Sequence, residues 1–74
     1  MVEVLQDAFG HELRVGDKVW LYRHSRETVG TITRLRNGTY RTPPPRVFVR
    51  IPGEYNERSS DGAFGVAVTR CHRA

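Results

Sequence analysis

The chain has 74 residues and a formal net charge of +4, and 27% of its residues are charged. This length predicts a single small domain. Its one cysteine excludes an internal disulfide, and no apolar run approaches the roughly 18 residues that a membrane span requires. We therefore expect a soluble cytoplasmic protein that does not partner with a membrane.

A domain of this size has a small core. It buries only roughly 60–65% of the surface of its extended chain, so its stability usually needs a supplement. The spacing of its cysteine and histidines fits no known zinc site, so we expect no metal. A compact β-barrel or oligomerisation could supply the stability instead, and the sequence leaves open whether the protein is a monomer or a homo-oligomer.

The charge is unevenly distributed. Residues 1–12 carry three acidic and no basic residues, residues 13–50 carry nine basic and two acidic residues, and residues 51–74 carry three of each. Eleven of the twelve basic residues are arginine, whose guanidinium suits phosphate, carboxylate and aromatic faces. A GC-rich genome would also favour arginine, whatever the function.

Residues 1–14 are predicted to form an extension that precedes the main domain. Residues 2–6 form a β-like run, and residues 7–10 form a turn with Gly10 in the left-handed position. We expect a small hairpin that closes one end of the core or covers one face of the sheet.

Residues 15–70 are predicted to form the main domain, which opens with a turn at residues 15–17. Alternation predicts a strand over residues 18–23, with Val19 and Leu21 on its core face. A polar connection over residues 24–28 leads to a second strand over residues 29–35. Ile32 and Leu35 are three residues apart, so they share one face only if the strand has a bulge or bend near Thr33.

Asn37 and Gly38 predict a type I′ hairpin turn, after which residues 39–42 could pair back briefly. The three prolines at 43–45 indicate a stiff connector that protects a sheet edge, or else a ligand for an aromatic-lined groove. Strands are predicted over residues 46–51 and 63–69, with a polar, mobile loop over residues 54–62. Phe64, Val66 and Val68 are expected to face inward, and residues 71–74 are expected to form a tail.

No segment has the apolar periodicity of an α-helix, and we expect at most a single 3₁₀ turn before or after the last strand. The fold class predicted from these elements is all-β: a small barrel of about five strands with an N-terminal hairpin-like extension.

The central motif resembles the opening of KOW-type and other SH3-like small barrels. It is carried here by Val15, Gly16, Asp17, Val19 and Leu21, then Gly30, Ile32 and Leu35, and later by Val47 and Val49. The run DAFGHELRVGDKVW is also similar to the start of many short uncharacterised phage and mobile-element proteins. The resemblance implies an SH3-like fold and a phage or mobile-element origin, which would place the protein in the host cytoplasm. Residues 24–28 depart from the KOW pattern, so the nucleic-acid contacts of that family do not transfer to named residues here.

The strongest candidate site is the outward face of the predicted sheet. It combines aromatic and basic side chains: Lys18, Trp20, Tyr22, Arg34, Arg36, Arg46, Phe48 and Arg50. Aromatic rings stack on bases and arginines contact phosphates, and we expect Arg46 and Arg50 to be dispensable for folding. In the alternative interpretation, Trp20 and Phe48 are covered by the N-terminal hairpin or by a second subunit.

We expect no catalytic residues and no cofactor. The serines lie in predicted loops, and neighbouring Cys71 and His72 would point to opposite faces of a strand. The sequence therefore predicts a non-enzymatic protein that binds nucleic acid through this face. The alternative is a protein-interaction module that binds a host or virion protein or assembles with itself.

Overall fold

The computed structural model describes residues 3–41 and 43–74. These residues form seven strands and one 3₁₀ turn, and they contain no α-helix, which confirms the predicted all-β class. The strands are β1 (Leu5–Gln6), β2 (Glu12–Leu13), β3 (Lys18–Arg23), β4 (Arg26–Arg36), β5 (Arg46–Arg50), β6 (Phe64–Ala67) and β7 (Cys71–Arg73). The predicted 3₁₀ turn is Val68–Arg70, between β6 and β7.

The strands make two separate sheets. β1 and β2 pair as a short antiparallel hairpin, and the other five form an antiparallel sheet in the order β6-β5-β4-β3-β7. This larger sheet curls into a half-barrel. Five strands with an N-terminal hairpin is therefore the architecture that the sequence predicted.

The connection between β3 and β4 is shorter than predicted. Arg23 pairs directly with Arg26, so the turn contains only His24 and Ser25, with φ values of 52° and 65°. Two central residues with positive φ define a type I′ turn. The prediction of a polar connection over residues 24–28 was wrong because His-Ser lacks the Asn or Gly that normally marks this turn.

The long strand β4 bends where the sequence predicted. The pairing with β5 shifts register between Ile32 and Arg34, leaving Thr33 as the extra residue of a bulge. Ile32 and Leu35 consequently both reach the core. Before the bulge, a Cβ added at Gly30 would lie only 3.2 Å from the Val49 Cβ and from the Arg50 carbonyl oxygen, so glycine allows β4 to approach β5 closely.

The predicted turn at Asn37 and Gly38 is wrong. β4 and β5 begin to pair at Arg36 and Arg46, so their connection is longer than a two-residue turn, and neither Asn37 nor Gly38 has a positive φ. A Cβ at Gly38 would overlap the Pro43 carbonyl, which shows that glycine is used here for close approach. Residues 39–41 form no strand. Thr42 of the predicted pairing and Val2 of the predicted N-terminal run lie outside the described residues.

The prediction that residues 71–74 form a tail is also wrong. Cys71–Arg73 form β7 and pair antiparallel with β3, where Leu21 lies opposite Cys71 and Val19 opposite Arg73. β7 therefore completes the large sheet. A three-residue strand with charged neighbours has too little alternation to be recognised from sequence.

The core lies on the concave side of the curled sheet. Its buried side chains come from six of the seven strands or their ends: Leu13, Val19, Leu21, Ile32, Leu35, Val47, Val49, Ile51, Val68 and Cys71. The predicted inward residues of β3 and β5 are all buried. Phe64 and Val66 pack against this cluster while only partly buried.

Asp7 fixes the N-terminal hairpin to the large sheet. It is a buried charged residue, with a relative exposure of 6%. Its Oδ1 accepts from the backbone N–H groups of Phe9 and His11, and its Oδ2 accepts from the Arg73 N–H at 2.9 Å. The hairpin thereby places Leu13 in the core and lies against the edge strand β7.

Candidate nucleic-acid interface

The predicted interface residues share the outer face of the large sheet. Strand pairing places Arg34 opposite Phe48 and Arg36 opposite Arg46. Lys18 pairs with Thr31, which in turn pairs with Arg50. Trp20 and Tyr22 follow Lys18 at alternate positions on β3, so all eight predicted side chains project from the convex side.

This face is divided into two parts along β4. β3 pairs with β4 as far as Thr31, whereas Arg34 and Arg36 lie beyond the bulge and pair only with β5. A rise of roughly 3.3 Å per residue places Val29, the partner of Trp20, about 16 Å from Arg34 along the strand. The structure thus resolves the single predicted surface into an aromatic part and a basic part.

The basic patch consists of Arg34, Arg36, Arg46 and Phe48. The Arg34 guanidinium carbon lies 4.2 Å from the centre of the Phe48 ring, and that of Arg36 lies 5.7 Å away. Arg46 donates from Nη1 to the Gly65 carbonyl oxygen at 3.3 Å. Arg34 and Arg36 cover the Phe48 ring on its solvent side, and Phe48 is half-buried. The ring in turn holds these two exposed guanidinium groups in a defined position.

The aromatic patch consists of Phe9, Trp20, Tyr22 and His72. Trp20 is 38% exposed, Tyr22 is 71% exposed and Phe9 is 72% exposed. His72 lies beside Trp20 on β7, and its ring meets the Phe9 ring edge-on at 5.9 Å between centroids. Trp20 thus keeps part of its ring at the surface, while the hairpin directs Leu13 into the core and leaves Phe9 exposed.

Phe9 and His72 were absent from the sequence-predicted interface. Phe9 was assigned to a turn, and His72 was assigned to a tail. The pairing of β7 with β3 brings His72 beside Trp20, and the Asp7 bond to Arg73 holds the hairpin so that Phe9 meets His72. No local pattern in the sequence signals this long-range contact.

Arg50 has a structural role, which opposes the expectation that it is dispensable. Its Nη1 donates to the carbonyl oxygens of Glu54 at 2.7 Å and Gly62 at 3.2 Å. Its guanidinium carbon also lies 5.0 Å from the centre of the Tyr55 ring. Arg50 therefore organises the 54–62 loop, and we leave it out of the interface proposed below.

The remaining basic residues of the face form no ion pair among the described residues. Within residues 3–41 and 43–74, the ion pairs involve Arg14, Arg23, His11 and His24, and none involves Lys18, Arg34, Arg36 or Arg46. One acidic group, Asp61, interacts electrostatically with Arg34 of the basic patch. Hydrogen bonds from Ser59, Ala63 and Thr33, followed by the charge of Arg34, lower the pKa of Asp61 despite some burial.

Three further observations concern the described residues outside the two patches. No group of three or more His, Cys, Asp or Glu residues is arranged to hold a metal ion. Burial, followed by the Asp7 charge, raises the pKa of Cys71 to about 11, which is the opposite of what activates a thiol nucleophile. None of the described segments forms a helix that is long and apolar enough to cross a membrane.

Comparisons of the chain with protein-family models, with curated proteins and with solved structures give no significant match.

Proposed function

We propose that this small all-β protein binds nucleic acid without catalysis, through the basic patch and the neighbouring aromatic patch. The observation that carries the proposal is the Arg34–Phe48–Arg36 stack. It presents two exposed guanidinium groups that have no acidic ion-pair partner among the described residues. Backbone phosphates are the natural ligand for such groups, because each contact releases condensed counterions.

The aromatic patch adds a second kind of contact. Exposed Trp20, Tyr22 and Phe9 rings can stack on unpaired bases, and this stacking contributes roughly 1–3 kcal/mol per base. Stacking tolerates any base, so the expected binding is independent of sequence. The SH3-like resemblance and the phage or mobile-element origin that it implies are part of this proposal, since small barrels of that kind include nucleic-acid binders.

The first experiment measures retardation of labelled single-stranded DNA and RNA at several salt concentrations. Affinity should fall on the order of tenfold or more between about 50 and 200 mM salt if a few phosphates are contacted. An absence of retardation at low salt contradicts the proposal. Binding that does not change with salt contradicts the assigned phosphate contacts.

The second experiment locates the site with a charge-matched pair of double variants. Arg34→Glu with Arg36→Glu should reduce affinity by on the order of 100-fold, because two phosphate contacts become repulsive. Arg26→Glu with Arg58→Glu changes the net charge equally, at exposed positions that are not part of the basic patch, and should have a much smaller effect. Equal losses for the two variants would mean that net charge, and not the patch, determines binding.

A second candidate function, interaction with a host or virion protein or self-association, is favoured by the exposed aromatic patch. Aromatic side chains are enriched in protein interfaces. Light scattering at two concentrations, with and without nuclease, distinguishes the two functions. A mass that rises with concentration and does not respond to nuclease supports self-association, whereas a mass that falls after nuclease supports bound nucleic acid.

A further inference from the structure

The two edges of the large sheet are protected differently. At the β7 edge, the Arg73 backbone N–H donates to Asp7, and the Arg73 Nη1 donates to the Glu12 carbonyl oxygen at 3.2 Å. The N-terminal hairpin therefore covers this edge. β6 forms the other edge and pairs only with β5 within the described residues.

The pairing of β6 with β5 determines which backbone groups of β6 face outward. Val68 donates its N–H to the Pro45 carbonyl oxygen at 2.9 Å. From this pair onward, pairs without hydrogen bonds alternate along β6 with hydrogen-bonded pairs. In an antiparallel pair, alternate residues direct their N–H and C=O groups away from the partner strand. In β6 these outward residues are Gly65 and Ala67.

The outward groups of Gly65 and Ala67 lack backbone partners among the described residues. The Gly65 carbonyl oxygen accepts only from the Arg46 side chain. Neither residue appears in a described backbone bond outside the β5 pairing. Both have small side chains, and β6 itself contains no charged residue and no proline, so the protection that such residues usually give an edge strand is missing from β6 itself.

A groove of about 500 Å³ runs beside this edge. Arg46 and Arg70 line it together with Pro44, Thr69 and the outward residues of β6, and no acidic residue lines it. The three prolines were expected to protect a sheet edge, but Pro44 forms one wall of the groove and leaves the β6 backbone accessible.

We propose that the free edge of β6 binds an extended acidic peptide segment of a partner protein, which adds a sixth strand to the sheet. Main-chain hydrogen bonds to Gly65 and Ala67 supply affinity in this mode, and side chains supply specificity. Arg46 and Arg70 select acidic side chains in the peptide. Pairing of β6 with β6 of a second copy is disfavoured, because it brings the same two arginines of both copies together.

This inference uses a different surface from the proposed nucleic-acid interface, with Arg46 as the one residue in common. The Arg34→Glu, Arg36→Glu variant should therefore keep peptide binding. A failure of peptide binding leaves the nucleic-acid proposal unaffected.

Substitutions at Ala67 test whether the β6 edge binds the peptide through its backbone. Its φ of −63° and ψ of 141° fit proline, whose φ is fixed near −65°, and its N–H faces away from β5. Ala67→Pro should therefore fold normally while losing one outward donor and blocking the edge. Ala67→Ser keeps the N–H and is the matched control.

The probe is a displayed library of random peptides of about ten residues, the upper length of ordinary strands, selected against the wild-type protein. We expect enrichment of acidic peptides without proline in their central residues. For a selected peptide made synthetically, Ala67→Pro should reduce affinity by on the order of tenfold or more, and Ala67→Ser should leave it unchanged. Arg70→Glu should also weaken binding, in contrast to the exposed Arg58→Glu.

Several outcomes overturn the proposal. One is a selection that enriches nothing above an empty support; another is a set of peptides that bind Ala67→Pro as tightly as wild type. If Ala67→Pro does not fold, two other measurements test whether the peptide binds the β6 edge. One compares peptide binding by the Arg70→Glu and Arg58→Glu variants. The other follows the amide shifts of Gly65 and Ala67 in the wild type when peptide is added. Concentration-dependent shifts at those amides without peptide, with a dimer in light scattering, would assign the edge to a second copy.

Discussion

Asp7 shows how one side chain can connect distant parts of the chain. Burial raises the pKa of this carboxyl group, but hydrogen bonds from the backbone of Arg73, His11 and Phe9 outweigh burial and lower the pKa to about 2, from its usual 3.8. A carboxylate with a lowered pKa stabilises the folded state above its usual pKa. That stabilisation disappears as the pH falls from about 4 towards 2.

We expect Asp7→Asn to lower the free energy of unfolding at neutral pH by on the order of 1–3 kcal/mol, because the amide cannot accept all of these bonds. The variant should also show a weaker loss of stability between about pH 4 and pH 2 than wild type. Urea denaturation across this range measures both effects. Glu57→Gln, at an exposed position, is the control, and an acid response of Asp7→Asn equal to wild type would contradict the assignment.

Glu54 and Asp61 contribute to the same acid response. Burial raises the pKa of Glu54, but a hydrogen bond from Arg23, followed by the charge of Arg23 and by contacts with His24, lowers this pKa overall. These groups titrate in both wild type and the Asp7→Asn variant. The difference between the two proteins therefore isolates Asp7.

Among the elements, the β3–β4 hairpin holds backbone strain in its turn. Ser25 has a φ of 65° without being glycine, and a residue with a β-carbon in this region is strained by about 1–2 kcal/mol. The turn persists because six residue pairs of β3 and β4 fix its ends.

Ser25→Gly should relieve this strain. Glycine also gains freedom in the unfolded chain, so we expect a net rise of only about 0.5 kcal/mol in the free energy of unfolding, or about 2–4 °C in Tm. Thermal denaturation measures the shift. Ser60→Gly is the matched control, since Ser60 is exposed and lacks a positive φ; it should not be stabilising. A lower Tm for Ser25→Gly would contradict the proposed strain.

These elements also show what the sequence could predict. Alternation along β3 and β5 identified the buried valines, and the three-residue interval between Ile32 and Leu35 required the bulge at Thr33. Both are local patterns. The turns at His24 and Asn37 were misassigned because tertiary pairing, and not turn propensity, sets their conformations.

In the candidate site, too, local sequence patterns were predictable and contacts between distant segments were not. Strand alternation was sufficient to place Arg34, Phe48 and Arg46 on one face. The capture of Arg50 by the 54–62 loop, and the approach of Phe9 to His72, depend on contacts between distant segments. A single sequence contains no local signal for such contacts.

At the scale of the whole molecule, β7 closes the sheet and buries Cys71, which is 2% exposed. Its thiol also donates to the Val68 carbonyl oxygen at 3.6 Å. Exposure of this thiol requires β7 to leave β3, and this would open the core cluster to which Cys71 belongs.

We therefore expect labelling of Cys71 by Ellman's reagent at mildly alkaline pH to follow global unfolding. The free energy obtained from labelling should equal that from urea denaturation. Asp7→Asn should accelerate labelling by about tenfold for each 1.4 kcal/mol of lost stability. Fast labelling that does not depend on urea would show instead that β7 separates locally.

The bulge at Thr33 also affects which nucleic acids can reach both patches, because a ligand must be flexible enough to follow the bend in β4. Because β4 bends there, a ligand that reaches from Trp20 to Arg34 must follow a curved path. A flexible single strand can follow this path, whereas duplex DNA resists bending below its persistence length of about 50 nm. On the proposed function, duplex DNA reaches one patch at a time, and the protein discriminates between nucleic acids by their rigidity without reading a base.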